Sequence, residues 1–367
     1  MSEITELLSV SRDPAWAPWA VQYFFLIGLS YGSFVLSLPG IAFGVERWRG
    51  FGRAALIGAL VCGIVAPVAL LSDLHQPGRF AEFYVRPAPS SWMAWGAFFI
   101  PAYVGALILY GLAALAPDFA AAATSGGPLA PLRRLIGGPA RPGLVRALGL
   151  VTLAAAFTVA LYTGVEVMVV RARPLWNTAL LPWQFAATAL AGSIGLTLIL
   201  ARTVFDAGSG EDRLGNRLLL VALALVAALG AAWFALATLS PNGAEGRAFA
   251  QVAGSPVWRV SAMWLAAAVA VPTAIALVKP VGSGWATGLL ALNAAWMFRW
   301  TIFVGGQELP KTGAGLYRHP LALGPDGLLG IVGTAGLWLA VLIALATLLN
   351  RSGAVEGRRS STVVEGA

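Results

Sequence analysis

Apolar residues fill nine long runs along the chain, near 19–43, 54–74, 91–115, 146–170, 182–203, 217–239, 257–278, 284–305 and 325–349. Each approaches or exceeds the roughly 20 residues a helix needs to cross a hydrocarbon core. The pattern predicts an all-α, polytopic membrane protein built as a bundle of nine transmembrane helices. Connections between the runs are short except around 116–145. There Pro117, Gly126-Gly127-Pro128 and Gly137-Gly138-Pro139 predict irregular, exposed chain. From Arg351 the sequence turns polar, so residues 1–350 are expected to form one bundle and 351–367 a disordered cytoplasmic tail. No soluble domain fits anywhere. No internal repeat stands out, although a four-helix half followed by a second bundle suits the spacing.

Composition agrees with the pattern. Hydrophobic residues make up 58% of the 367 positions and charged ones 11%, against about a quarter charged in soluble domains; the mean hydropathy is +0.78. The formal charge of +8 comes from bases scattered between apolar runs, which points to membrane topology rather than nucleic-acid binding. Arg47, Arg49, Arg53, Arg133, Arg134, Arg141, Arg146, Arg202, Arg213, Arg217, Lys279, Arg351, Arg358 and Arg359 fall on one side of a nine-span chain, the larger share of its 24 Lys and Arg. The positive-inside rule then predicts the N-terminus outside and the C-terminus in the cytoplasm. The N-terminus has no signal-peptide pattern, so the first run is expected to remain as a membrane helix. The 43 glycines are expected to let helices pack closely.

The scarce residues restrict the chemistry. The 2 His, His75 and His319, lie near predicted helix ends and do not face each other across the bundle as a bis-histidine haem requires. The lone cysteine, Cys62, cannot ligate an iron–sulfur cluster and reads as a small packing residue. Neither a Gly-rich nucleotide loop nor zinc-spaced Cys and His occurs, so no metal site is expected. Any electrons handled here must travel on a diffusible ligand or on another subunit.

Polar residues concentrate at the predicted outer end. Gln22 and Tyr23 open the first helix; Asp73, His75 and Arg79 follow the second; Glu166, Arg171 and Arg173 close the fourth; Arg299, Gln307 and Glu308 close the eighth. Tyr162 precedes Glu166 by four positions and so shares its helix face. Ionisable groups inside spans cost about 2.5–3.5 kcal/mol at mid-helix, so each needs a partner or a task. One reading is a cavity for a quinol head group, whose oxygens need hydrogen bonds and whose protons need a carboxylate or imidazole route out. The other is packing, with a Glu166–Arg299 or Asp73–Arg ion pair and arginines reaching the interface. Trp16, Trp19, Trp92, Trp95, Trp176 and Trp183 fit interfacial anchors in either case.

Four stretches carry a resemblance. They are Trp19-Ala20-Val21-Gln22-Tyr23-Phe24-Phe25; Asp73-Leu74-His75-Gln76 through Arg79 to Ser91-Trp92-Met93-Ala94-Trp95-Gly96; Tyr162-Thr163-Gly164-Val165-Glu166 with Arg171-Ala172-Arg173-Pro174-Leu175-Trp176; and Arg299-Trp300 with Gln307, Pro310-Lys311 and Gly324-Pro325-Asp326-Gly327. Together they resemble the membrane subunits of the polysulfide reductase (NrfD-type) family, in particular those of tetrathionate reductase type. The resemblance implies a subunit with no haem or cluster of its own that exchanges electrons with menaquinol or ubiquinol. It implies partners as well: a four-cluster ferredoxin-like iron–sulfur subunit and a molybdopterin catalytic subunit on the periplasmic side of the bacterial inner membrane. Gln22 and Tyr162 match quinone-contacting positions of the family. The family's first-helix histidine has no counterpart here, which moves proton acceptance to Asp73 or His75, with Glu166 behind them. Tyr23, Arg79 and Arg299 are expected to complete the quinone site, and Arg173, Trp92 and Gln307 to face the iron–sulfur partner. The expected function is quinol oxidation within a molybdopterin oxidoreductase complex used in anaerobic respiration. The alternatives are service to polysulfide or another sulfur or oxyanion substrate, a passive anchor, or a secondary transporter. Transport fits poorly with sparse midplane polarity.

Overall fold

The computed structural model describes residues 16, 18–74, 76–205, 208–309 and 319–349. Among these, nine helices are long and apolar enough to cross a membrane, as the run pattern predicts. They are α1 (Pro18–Ile41), α2 (Arg49–Ser72), α3 (Trp92–Ala123), α4 (Pro142–Met168), α5 (Leu181–Val204), α6 (Ser209–Leu239), α7 (Pro256–Val278), α8 (Gly284–Trp300) and α9 (Leu328–Leu348). A π-helical turn, Thr301–Gly305, and the short helix Gly306–Glu308 extend α8. The expected tail lies outside the described residues.

The helices pack as two groups. The first, α1 to α4, has α9 laid against α1 and α2; the second is α5 to α8; α1 and α5 join the two. Small residues set the closest approaches. A Cβ at Gly195 on α5 would fall 2.6 Å from the Gly288 carbonyl oxygen on α8, and one at Gly288 would fall 2.7 Å from that of Gly195. Helices this close exchange side-chain volume for backbone contact, a strategy suited to lipid, where no hydrophobic force drives them together. Cys62 is buried on α2 and its Sγ accepts a hydrogen bond from Trp338 Nε1 on α9 at 3.2 Å, consistent with a packing role.

The connection expected to be irregular is largely helical. α3 runs through Pro117 to Ala123, and residues Ala130–Ile136 form a further helix. The turn between them, with Gly126 and Gly127 at φ 71° and 83°, and the non-helical stretch 137–141 follow the glycine and proline signal. Packing overrides the breakers, since Phe119, Ala122 and Ala123 are all buried. Arg133, 5% exposed, donates to the carbonyls of Ala122 at 3.3 Å, Thr347 at 2.7 Å and Leu348 at 3.0 Å. It thereby satisfies end carbonyls of α3 and α9 that would otherwise lack partners.

Polar links also tie the second group where α5 ends and α6 and α8 begin. Asp212 accepts from Arg202 and from the Gly282 amide at 2.6 Å. Asn216 donates to Pro280 O at 3.0 Å and Ser283 Oγ at 3.1 Å, and Thr287 donates to Asn216 Oδ1 at 2.7 Å. These contacts fix α5, α6 and the start of α8 in one register.

Candidate functional site

At the end of the first group where α1 and α3 begin and α2 and α4 finish lies a cavity of about 280 Å³. Tyr23 reaches it from α1, Asp73 from the end of α2, and Tyr162 and Glu166 from α4. The segment after α2 folds across it and contributes Phe80, Phe83 and Tyr84. The volume sits just below the roughly 300–1,000 Å³ of typical ligand pockets, and a mostly apolar wall with a few polar groups is their usual chemistry.

Two polar atoms in this wall are buried with no hydrogen-bond partner among the described residues: Tyr23 Oη and Glu166 Oε2. Tyr162 interacts electrostatically with both side chains and so sits between them. Gly96 on α3 makes that placement possible, because a Cβ there would overlap the Tyr162 ring. Buried polar atoms in native proteins almost always have partners. A phenol and a carboxylate oxygen buried beside one cavity without such partners single out this part of the bundle.

The remaining expected site residues lie elsewhere. Gln22, one position from Tyr23, faces away: its Oε1 accepts from Trp296 Nε1 at 2.8 Å and its Nε2 donates to Ile331 O at 3.4 Å. Arg299, 1% exposed, turns toward α5. It donates to Thr188 Oγ1, to Phe185 O at 2.9 Å and to Ala295 O at 3.4 Å, with its guanidinium 5.1 Å from the Phe185 ring centre. It forms no salt bridge with Glu166 or any other carboxylate among the described residues, so the Glu166–Arg299 pair is not formed. Backbone carbonyls and aromatic faces hold this charge instead. Gly28 leaves room for it, since a Cβ there would lie 3.2 Å from Nη2.

Arg79 is exposed beside the cavity. It donates from Nε to Glu82 Oε1 at 2.9 Å, from Nη2 to Glu82 Oε2 at 2.7 Å and from Nη1 to Gln76 Oε1 at 3.0 Å. This forked pair holds the Glu82 carboxyl below its ordinary range and raises the guanidinium in turn. His75 lies outside the described residues.

Of the residues expected at a partner surface, Gln307 is 1% exposed. Its amide donates to Trp16 O at 2.8 Å and Phe303 O at 3.0 Å and accepts from Trp16 N at 3.1 Å, tying the residue just before α1 to the end of α8. Arg173 Nη1 donates to Gln307 O at 3.0 Å and Leu309 O at 2.7 Å. Trp176 Nε1 donates to Ile302 O at 2.6 Å inside the π-helical turn. Trp92 is half-buried as the first residue of α3. Sequence reasoning named the interfacial tryptophans but not the sealing of this end by Trp16, Phe24, Trp176 and Phe303, whose ring centres lie 4.4–6.3 Å apart.

Nine candidate membrane-spanning helices among the described residues, with a largely apolar cavity carrying a few polar groups at one end, define a multi-pass membrane protein with a candidate small-molecule site. The chain belongs to the polysulphide reductase NrfD family, whose model matches residues 9–311. It is 34% identical to the C subunit of tetrathionate reductase from Salmonella typhimurium, over 95% of this chain and 96% of that protein. It is 28% identical to the C chain of polysulfide reductase from Wolinella succinogenes, covering 75% and 87%. To the C subunit of selenate reductase from Mesobacillus selenatarsenatis it is also 28% identical, covering 54% and 51%.

Proposed function

We propose that this protein is the quinol-oxidising membrane subunit of a reductase complex of tetrathionate reductase type. The observation that carries the reading is the cavity beside which Tyr23 Oη and Glu166 Oε2 are buried without hydrogen-bond partners among the described residues, next to Tyr162 and Asp73. A quinol presents two hydroxyls on an apolar ring with an isoprenoid tail. The tyrosines would hydrogen-bond the head-group oxygens, and Leu70, Phe80, Phe83 and Met93 match the apolar remainder. Oxidation releases two electrons and two protons. Glu166 would take a proton at Oε2, and Asp73, nearer the end of the bundle, would pass protons to solvent. The electrons leave to an iron–sulfur subunit docked at this same end, in a complex completed by a molybdopterin subunit.

The positive-inside distribution of Lys and Arg supports an external, periplasmic location for this end, in a bacterial inner membrane. Family membership and coverage of nearly all of the tetrathionate reductase relative support the complex type. Arg79 would act from outside the cavity by fixing the segment that closes it, and Gln22 and Arg299 by holding helices in place. The test is Tyr162→Phe in the assembled complex. Quinol-driven turnover should fall while turnover with an artificial electron donor is retained; loss of both together would make Tyr162 structural and remove the assignment.

A further inference from the structure

Away from this site, the second helical group contains a long crevice between α5, α6, α7 and α8. It comprises two adjoining cavities of about 820 and 510 Å³ that share Gln184, Gly230, Trp233 and Phe298 in their walls. Along α7 it extends from Trp258 to Thr273, about 22 Å at 1.5 Å per residue. That reaches past the midplane of a hydrocarbon core of about 30 Å. The crevice is only partly enclosed, and its apolar walls do not hold ordered water. A hydrocarbon chain is the filling such a wall selects.

The polar features of the crevice all favour an acceptor-rich or anionic end group. Trp258 Nε1 is a buried donor with no partner among the described residues. Gln184 presents its side chain to both cavities. Arg259 lines the crevice and is exposed, and among the described residues its one hydrogen bond is from Nε to Ala253 O at 3.0 Å. Behind the wall, Thr188 accepts from Arg299, a buried cation without a carboxylate partner among the described residues. No acidic side chain is among the described residues lining either cavity. The lack of a carboxylate also leaves no proton acceptor for quinol chemistry.

We propose that the crevice binds one phospholipid, its acyl chain along α6 and α7, an ester carbonyl at Trp258 Nε1 and its phosphate at Arg259. Gly230 on α6 offers a clean test, because a Cβ there meets nothing within 4 Å. A larger side chain enters the crevice without displacing the fold, and replacing a mid-helix glycine favours the helix.

The experiment counts phospholipid retained by the purified protein after detergent exchange, using native mass spectrometry, and then titrates back phosphatidylglycerol. The wild type should retain one phospholipid per chain. Gly230→Phe should lose it while keeping its melting temperature and its quinol-driven turnover. Arg259→Gln should bind phosphatidylglycerol about tenfold more weakly, equivalent to about 1.4 kcal/mol. Equal retention by wild type and a folded Gly230→Phe variant would overturn the proposal. So would recovery of an isoprenoid quinone or free fatty acid in place of phospholipid, or cross-linking of a partner helix into the crevice.

Discussion

Replacing Glu166 by Gln separates a catalytic carboxylate from a packing one. The substitution keeps the side-chain shape and removes the charge and the proton-accepting oxygen. A buried ion pair that loses one member costs about 3–5 kcal/mol, because the other charge is left unpaired. Glu166 has no ion pair among the described residues and its Oε2 has no hydrogen-bond partner, so that penalty does not arise. The change in stability should stay within about 1 kcal/mol, the scale of an ordinary net hydrogen bond. Loss of a positioned proton acceptor slows a reaction by about 10²–10⁴-fold, or about 3–5 kcal/mol of barrier. The assay compares quinol-driven and dye-driven turnover of the assembled complex, alongside a thermal melt in detergent. Quinol-driven turnover should fall by that factor, with dye-driven turnover within about twofold. Unchanged quinol turnover would refute the role of Glu166, and a joint fall with a lower melting temperature would show that it serves packing.

Other perturbations test neighbouring parts of the account. Tyr23→Phe removes a buried hydroxyl that interacts with the Tyr162 side chain; thermal stability should change by no more than about 1 kcal/mol while quinol-driven turnover falls, both read from the same preparation. Gly96→Val drives side-chain atoms into the Tyr162 ring, so quinol turnover should fall with dye-driven turnover retained. Arg133→Ala strips donors from three carbonyls at the ends of α3 and α9; charged hydrogen bonds contribute about 1.5–3 kcal/mol each, and the melt should shift down clearly without loss of quinol affinity in the surviving fraction. The Glu82 carboxyl sits below its ordinary value because Arg79 pairs with it. That contribution is present above the ordinary carboxylate pKa and is lost as pH falls through the lowered one. Protection of the amides in residues 76–85, taken relative to the intrinsic exchange rate at each pH, should therefore fall on acidification, and in Arg79→Ala that pH-dependent loss should disappear.

The spans were legible because a hydrocarbon core imposes a length, and the nine runs correspond to nine helices among the described residues. Tyr162 and Glu166 were legible as a pair because four positions on a helix return to one face. Which face meets which neighbour was not. α1 is buried on nearly all sides, so its apolar pattern gives no direction, and adjacent Gln22 and Tyr23 go to different neighbours. Arg299 shares the depth of Glu166 in sequence terms yet binds Phe185 O and Thr188 on α5, a choice made by helix rotation that periodicity does not encode. The closing segment with Phe80 and Phe83 was hidden for another reason. Its aromatic residues lie between spans, where they read as interface anchors, and only the fold brings them over the cavity. The helical course of α3 past Pro117 likewise reflects burial of Phe119 and Ala122 against a local breaker signal.

The central claim is that quinol electrons enter the complex at the Tyr23–Tyr162–Glu166 cavity. Its most direct measurement is a titration of the purified, oxidised complex with a short-chain quinol, following reduction of the partner's iron–sulfur clusters spectroscopically. Reduction should be saturable, and Glu166→Gln should slow it by about 10²–10⁴-fold without changing cluster reduction by dithionite. An intact complex whose clusters accept electrons from dithionite but never from quinol would contradict it and leave this protein as an anchor alone.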